Sequence, residues 1–217
     1  MRKNVKDISV IGRADGPISV FLLKKNAKRT WKQRFHRFMY KLKRAYIIKR
    51  IKAENHTLDE VMEYITNIHG FTELPKDSSK VQEEYRQMRA SFLMQYAPEL
   101  LGEYEDISEL KSEAPEDIQA HLEYIQRRTQ KAMEVPVEDF DIDFHRFVKV
   151  IGDKNHTMDI IIEKRFAYIG GGATGSQKII KEFNRIFKAV YQYYGVTGED
   201  IEARSPRYEE LLRTLSR

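Results

Sequence analysis

Hydrophobic positions along this chain change period several times, and the changes mark its elements. Residues 7–11 and 18–23 are β-branched and apolar, and Arg13-Ala14-Asp15-Gly16-Pro17 between them has turn chemistry. That pattern predicts a β-hairpin over 7–23. Pro17 has no N–H to donate and belongs at the start of the second strand or at an edge. From 27 to 52 the spacing becomes helical: Trp31, Phe35, Phe38, Leu42 and Ala45 follow the 4-3-4-3 rhythm of one helical stripe. Thr57 followed by Glu60 is a capping box that opens a short amphipathic helix carrying Val61, Met62, Ile65 and Ile68 and ending at Gly70. Residues 75–79 read as a loop. A third helix over 79–97 sets Tyr85, Met88, Phe92 and Tyr96 on one side, with Pro98 beyond its end. The acidic stretch 99–113 reads as a short helix or loop. Pro115 suits a first-turn position, and a helix over 115–133 runs through Ile118, Leu122, Ile125 and Thr129.

After Pro136 the period drops to two. Phe140, Ile142 and Phe144 alternate with Asp141, Asp143 and His145, and Met158, Ile160 and Ile162 alternate with Asp159, Ile161 and Glu163. With a turn at 152–155 between them, these two runs predict a second hairpin. Residues 166–169 add a strand, 170–175 a glycine-rich flexible loop, 176–194 a helix stopped by Gly195, and 206–215 a last helix. Strands toward both ends with helices between them make an α+β fold. The simplest closure pairs the N-terminal hairpin with the 140–169 hairpin in one small antiparallel sheet covered by five to six helices. A length of 217 residues suits a single domain over 1–217. In it the 24–52 segment is either a wall of the domain or a projecting basic amphipathic helix.

Charge changes this picture most. Residues 24–52 hold thirteen Lys or Arg and no Asp or Glu. Residues 1–52 carry seventeen basic and two acidic side chains, a net +15, while the remaining 165 carry 21 and 31, a net −10. A modest overall +5 therefore hides a strongly polar distribution. Such a segment seeks a polyanion or the acidic face of its own body. The candidate nucleic-acid-binding or partner-binding residues are Lys28, Arg29, Trp31, Lys32, Arg34, Arg37, Lys41, Lys43, Arg44, Lys49 and Arg50. Their cations would neutralise phosphates, while Trp31, Phe35 and Tyr40 would stack on exposed bases or sink into a lipid headgroup layer. Alternatively the aromatic stripe is core, as stripes at helical spacing usually are, with the basic face against the acidic body or in water.

Two weaker constellations carry other chemistry. Gly170, Gly171, Gly172, Thr174 and Gly175 fit G-x-G-x-x-G ahead of a helix whose first turn, capped by Ser176 or Thr174, could hold an anion. No βαβ unit follows, and no strand-borne acid lies at the distance a dinucleotide site requires. Asp141, Asp143 and His145, at i, i+2 and i+4 of a strand, would share one face and offer oxygen and imidazole ligands to a divalent metal, with His156 and Asp159 on the partner strand. The plain alternative is the polar face of a hairpin. His36, His69 and His121 read as surface or partly buried residues, and Tyr191, Tyr193 and Tyr194 as packing.

The chain has no Cys, which excludes disulfides, thiolate metal sites and cysteine nucleophiles and fits a reducing, cytoplasmic setting. No G-x-S-x-G, H-E-x-x-H or P-loop is present. MRKNVKDISV contains basic residues but no apolar stretch of useful length after them, so no secretory signal is expected. The longest nearly apolar run is 18–23, far short of the ~20 residues that a membrane span needs.

Residues 8–24, ISVIGRADGPISVFLLK, resemble the Gly-Gly-Ala-Asp-Gly-Pro-Thr segment of the β subunit of sodium-translocating carboxylic-acid decarboxylases. There the segment interrupts a membrane helix and its Asp helps bind sodium; the resemblance implies that role for Asp15. Arg13 stands where that family has Gly and Ile18 where it has Thr, and the family's many membrane helices have no counterpart. The whole chain is also similar to soluble proteins of anaerobic Gram-positive bacteria that begin with this segment, a similarity that implies no activity. The expectation taken from the residues is a binding protein whose basic helix meets nucleic acid or a ribonucleoprotein, mainly through phosphates. A scaffold or homo-oligomer subunit docking on an acidic protein, and a metal- or anion-dependent enzyme, are the alternatives.

Overall fold

The computed structural model describes residues 8–10, 20–22, 31–102, 115–152 and 156–216. Along the chain the elements are β1 (Ile8–Val10), β2 (Val20–Leu22), α1 (Trp31–Ile48), β3 (Glu54–Asn55), α2 (Leu58–Asn67), β4 (Thr72–Glu73), α3 (Ser79–Tyr96), a 3-10 turn (Pro98–Leu101), α4 (Pro115–Glu134), β5 (Phe144–Val150), β6 (Thr157–Glu163), β7 (Tyr168–Thr174), α5 (Gln177–Tyr194), β8 (Gly195–Val196), α6 (Gly198–Ala203) and α7 (Pro206–Ser216). The fold is α+β. It falls into two compact units, Met1–Ala27 with Leu74–Phe144, and Lys28–Glu73 with His145–Arg217.

The larger core belongs to the second unit. Its sheet runs β4-β5-β6-β7, and β6 and β7 pair antiparallel with Met158 opposite Ala173, Ile160 opposite Gly171 and Ile162 opposite Ile169. Period-2 alternation puts Met158, Ile160, Ile162, Ile169 and Phe147 in the core they share with Ile179, Phe183, Ile186 and Val190 of α5. Each fully buried side chain of this kind contributes about 1.5–3 kcal/mol. Val61 and Ile65 of α2 and Tyr208, Leu211 and Leu212 of α7 complete that core. The start of α2 is as expected: Glu60 N–H donates to the Thr57 hydroxyl at 3.2 Å, and the Thr57 N–H donates to the Glu60 carboxylate at 2.7 Å. Gly195 ends α5 at φ +60°, where β8 pairs with β3 so closely that a Cβ would overlap the Glu54 carbonyl. Tyr191 is buried and donates to the Ile169 carbonyl at 2.7 Å, so it packs and its burial pushes its hydroxyl pKa up.

In the first unit, α3 and α4 enclose a small core of Ala90, Leu93, Leu101 and Ala132. Buried Arg89 ties it together by donating to the carbonyls of Phe140, Val135 and Pro136 at 2.6–2.7 Å. The expected side of α3 turns inward, with Phe92 buried and Tyr85 and Met88 half-buried, and it widens to take in Val81, Arg89, Ala90 and Leu93, while Tyr96 is exposed. On α4, Ile118, Ile125 and Thr129 are half-buried as expected, but His121 and Ala132 are the buried residues and Leu122 is exposed.

Two expectations need correction. The N-terminal hairpin forms, with Ile8 opposite Leu22 and Val10 opposite Val20, but β1 and β2 make a sheet of their own and do not join β5. The place beside β5 is taken by β4, with Thr72 opposite Val148. Chain leaving α2 turns at Gly70, φ +67°, and runs along that edge as β4. The glycine run is also no loop: Gly170, Gly171, Gly172 and Thr174 are strand residues of β7, and α5 starts only at Gln177. Gly171 faces α5, where a Cβ would overlap the Asp159 carbonyl and come within 3.1 Å of the Phe183 ring. Gly172 points to open space. Gly171→Ala should therefore cost about 1–3 kcal/mol of stability, whereas Gly172→Ala should stay within about 0.5 kcal/mol of wild type. Urea unfolding of the two variants checks this; equal losses would contradict the strand placement.

Candidate functional site

α1 has no Gly or Pro to break it between Trp31 and Lys52, and Lys, Arg, Gln, Met, Leu and Ala supply most of its helix propensity. Its hold on the second unit is one-sided. Ile47, and Ile51 just beyond the helix, pack on the main core. One turn earlier Arg44 donates to Glu209 of α7 at 2.6 Å, and that bond raises the guanidinium pKa further against the opposing effect of burial. Tyr40, Arg44, Ile47 and Ile51 follow i, i+4, i+7, i+11 spacing, one narrow face of a helix.

The stripe of Trp31, Phe35, Phe38 and Leu42 lies roughly 180° around the helix from that face. It is not core. Trp31 is 77% exposed, Phe35 49%, Phe38 57% and Leu42 50%. Met39 and Tyr46 extend the same exposed arc. Trp31 and Phe35 stack on each other with ring centroids 5.7 Å apart. No residue of α1 is buried.

Cations line both margins of this seam. At roughly 100° per residue, Arg34, Lys41 and Arg37 fall on one side and Lys32, Lys43 and Arg50 on the other. Arg50 lies over the Tyr46 ring, 4.7 Å from its centroid. Lys32, Arg34, Arg37, Lys41, Lys43, Lys49 and Arg50 have no carboxylate partner among the described residues, and the acidic body reaches α1 there through Glu209. Burial lowers the pKa of Lys188 on α5, and the charge of nearby Lys43 lowers it further. Beside Lys43 an open groove is lined by His36, Tyr40, Tyr46 and Ser216 at the end of α7. The surface thus has a surplus of positive charge that the described protein does not neutralise. Lys28, Arg29 and Asp15 lie outside the described residues.

The two other constellations are not assembled. Asp141 and Asp143 precede β5, which starts at Phe144, so they do not alternate on a strand with His145. Asp141 accepts from its neighbour Ile142 N–H at 2.7 Å and from the Tyr85 hydroxyl at 2.6 Å, a local bond that competes with strand geometry. Asp143 pairs with Lys76 at 3.1 Å and His145 with Glu73 at 2.7 Å. Asp159 pairs with the buried Arg146 at 2.7 Å. Among the described residues no three His, Asp or Glu stand close enough together to hold a metal ion. Gly175 and Ser176 do precede α5, but Ser176 makes no side-chain cap bond, and Gly170–Gly172 belong to β7.

A cluster that sequence reasoning missed is an aromatic column in the second unit. His56 stacks on Tyr193 at 3.8 Å, Tyr193 on Tyr64 at 4.2 Å, and Tyr64 meets His69 edge-on at 4.9 Å. Missed too were the anchoring face of α1 and the approach of Lys188. The i, i+4, i+7 spacing of Tyr40, Arg44 and Ile47 was a signal for the first; nothing local marked the second.

No protein-family model, curated protein or solved structure matches this chain. Among the described residues no helix is long and apolar enough to cross a membrane.

Burial depresses the His69 pKa, and the charges of Lys149 and Arg185 add to the effect. The unfolded chain therefore binds a proton at this position more readily than the folded one. Stability is full above the ordinary histidine value of about 6.5 and is lost as pH falls below it toward the folded value. The melting temperature of wild type should fall more than that of His69→Gln between about pH 7 and pH 5. Parallel melting curves across that window would contradict the assignment.

Proposed function

We propose that this chain is a binding protein that docks through α1 on a phosphate-bearing polyanion, with the phosphates of nucleic acid or a ribonucleoprotein as the first partner to test. One observation carries this: seven exposed cations of residues 32–50 have no carboxylate partner among the described residues. A helix whose charge is neutralised internally has little left to offer a polyanion; here Glu209 takes Arg44 and leaves the margins of the helix uncompensated. The mutual repulsion of Lys43 and Lys188 points the same way, since a bound phosphate would relieve it. Phosphate contacts position a protein without reading sequence, so little base specificity is expected. α1 docks as a preformed helix, anchored at Ile47 and Ile51, and pays a smaller ordering cost than a disordered tail.

Binding should be strongly salt-dependent, with log K falling by about 0.7–0.9 per log unit of salt for each phosphate contacted. Fluorescence anisotropy with labelled single-stranded and duplex RNA, titrated at several salt concentrations, measures that slope. Arg34→Glu with Lys41→Glu should weaken binding at low salt by about tenfold or more and flatten the slope by about two units. Affinity that is absent at low salt for RNA, DNA and anionic vesicles alike would overturn the proposal.

A further inference from the structure

Phosphate contacts require cations and nothing else, yet α1 presents a continuous apolar face between its two basic margins. Trp31, Phe35, Phe38, Met39, Leu42 and Tyr46 are all exposed there. Exposed apolar surface of this extent marks a docking face, and its geometry restricts what can cover it.

A second copy of the same helix would bring cations against cations, since residues 24–52 contain no acidic side chain to answer them. A protein groove that took this one face would need an apolar floor with acidic walls on both sides to answer the two basic margins, while the Arg44–Ile47 face stays held against α7 and the core. Bases of a nucleic acid would stack on Trp31, Phe35 or Tyr46 but would leave Met39 and Leu42 in water. A flat anionic surface with hydrocarbon beneath its phosphates matches the apolar seam, the two basic margins and the one-sided access together. Trp, Phe and Leu on one face and Lys and Arg around it is the composition of helices that lie in a bilayer interface.

We infer that the polyanion is the headgroup layer of an anionic lipid membrane, with α1 lying in its plane, Trp31, Phe35, Phe38 and Leu42 at the acyl boundary and Arg34, Lys41, Lys32 and Lys43 on lipid phosphates. This rests on the reading of α1 as a phosphate-docking helix and names its partner. Attachment is peripheral and reversible, because one short helix buries too little apolar surface to anchor a protein permanently.

Trp31 is the single tryptophan of the chain, so its emission reports on the seam directly. Full-length protein is mixed with vesicles of phosphatidylcholine alone, of phosphatidylcholine with phosphatidylserine, and of the latter carrying acyl-chain bromines, and separately with single-stranded RNA. The expected result is a blue shift and bromine quenching with anionic vesicles, little change with phosphatidylcholine, and loss of the shift at high salt. Phe38→Gln with Leu42→Gln, both exposed positions that keep good helix propensity and that no base is argued to stack on, should lower vesicle partitioning at least about tenfold while leaving RNA binding nearly unchanged. Salt-sensitive RNA binding without any vesicle-induced shift would overturn the lipid assignment and leave the polyanion proposal standing. No binding to RNA or to vesicles would overturn both. Equal binding to neutral and anionic vesicles, or a dimer that buries Trp31 in solution, would also overturn the lipid assignment.

Discussion

Ile47 and Ile51, partly buried, seat the end of α1 against the core of its unit, and the surface character of the whole basic segment depends on that seat. A helix can turn only one face inward. With Ile47 packed against the core and Arg44 bonded to Glu209, the arc carrying Trp31, Phe35, Phe38 and Leu42 must face away. The ion pair itself is part-exposed and worth at most about 1 kcal/mol, so the isoleucines do most of the holding and Arg44 sets the rotation.

Residues with local causes were legible in the sequence. The Thr57/Glu60 box, the long apolar face of α5 and the alternation of β6 each depend on neighbours a few positions away, and each forms as expected. What escaped depends on partners distant in sequence. Nothing in YIGGGAT says that Phe183 crosses over Gly171, which is why a glycine-rich strand resembles a loop until α5 is in place. Asp141 and Asp143 continue the period-2 rhythm of β5 backward, but Asp141 accepts from the Ile142 N–H and the strand begins later. The edge of β5 goes to β4, whose Thr72 and Glu73 lie about 75 residues before their partners Val148 and Phe147.

The candidate site was half legible. The seam and its cations were visible as periodicity and composition. Which side of the helix meets the body was not, because apolar spacing identifies a face without saying what it faces. Tyr40, Arg44 and Ile47 form a mixed polar and apolar row that hydrophobicity alone passes over. The acidic body, a net −10 beyond residue 52, was a natural internal partner for the run, yet in the described residues it reaches α1 through Glu209. A charge distribution summed along a chain does not say which charges come within a Debye length of each other.

All of this stands on the outward orientation of the aromatic seam in the free protein, and acrylamide quenching of Trp31 fluorescence in solution tests it most directly. An exposed seam predicts red-shifted emission and quenching nearly as efficient as for the urea-unfolded chain. Blue-shifted emission shielded from acrylamide, in a monomer without ligand, would place the seam inside the protein and contradict the account.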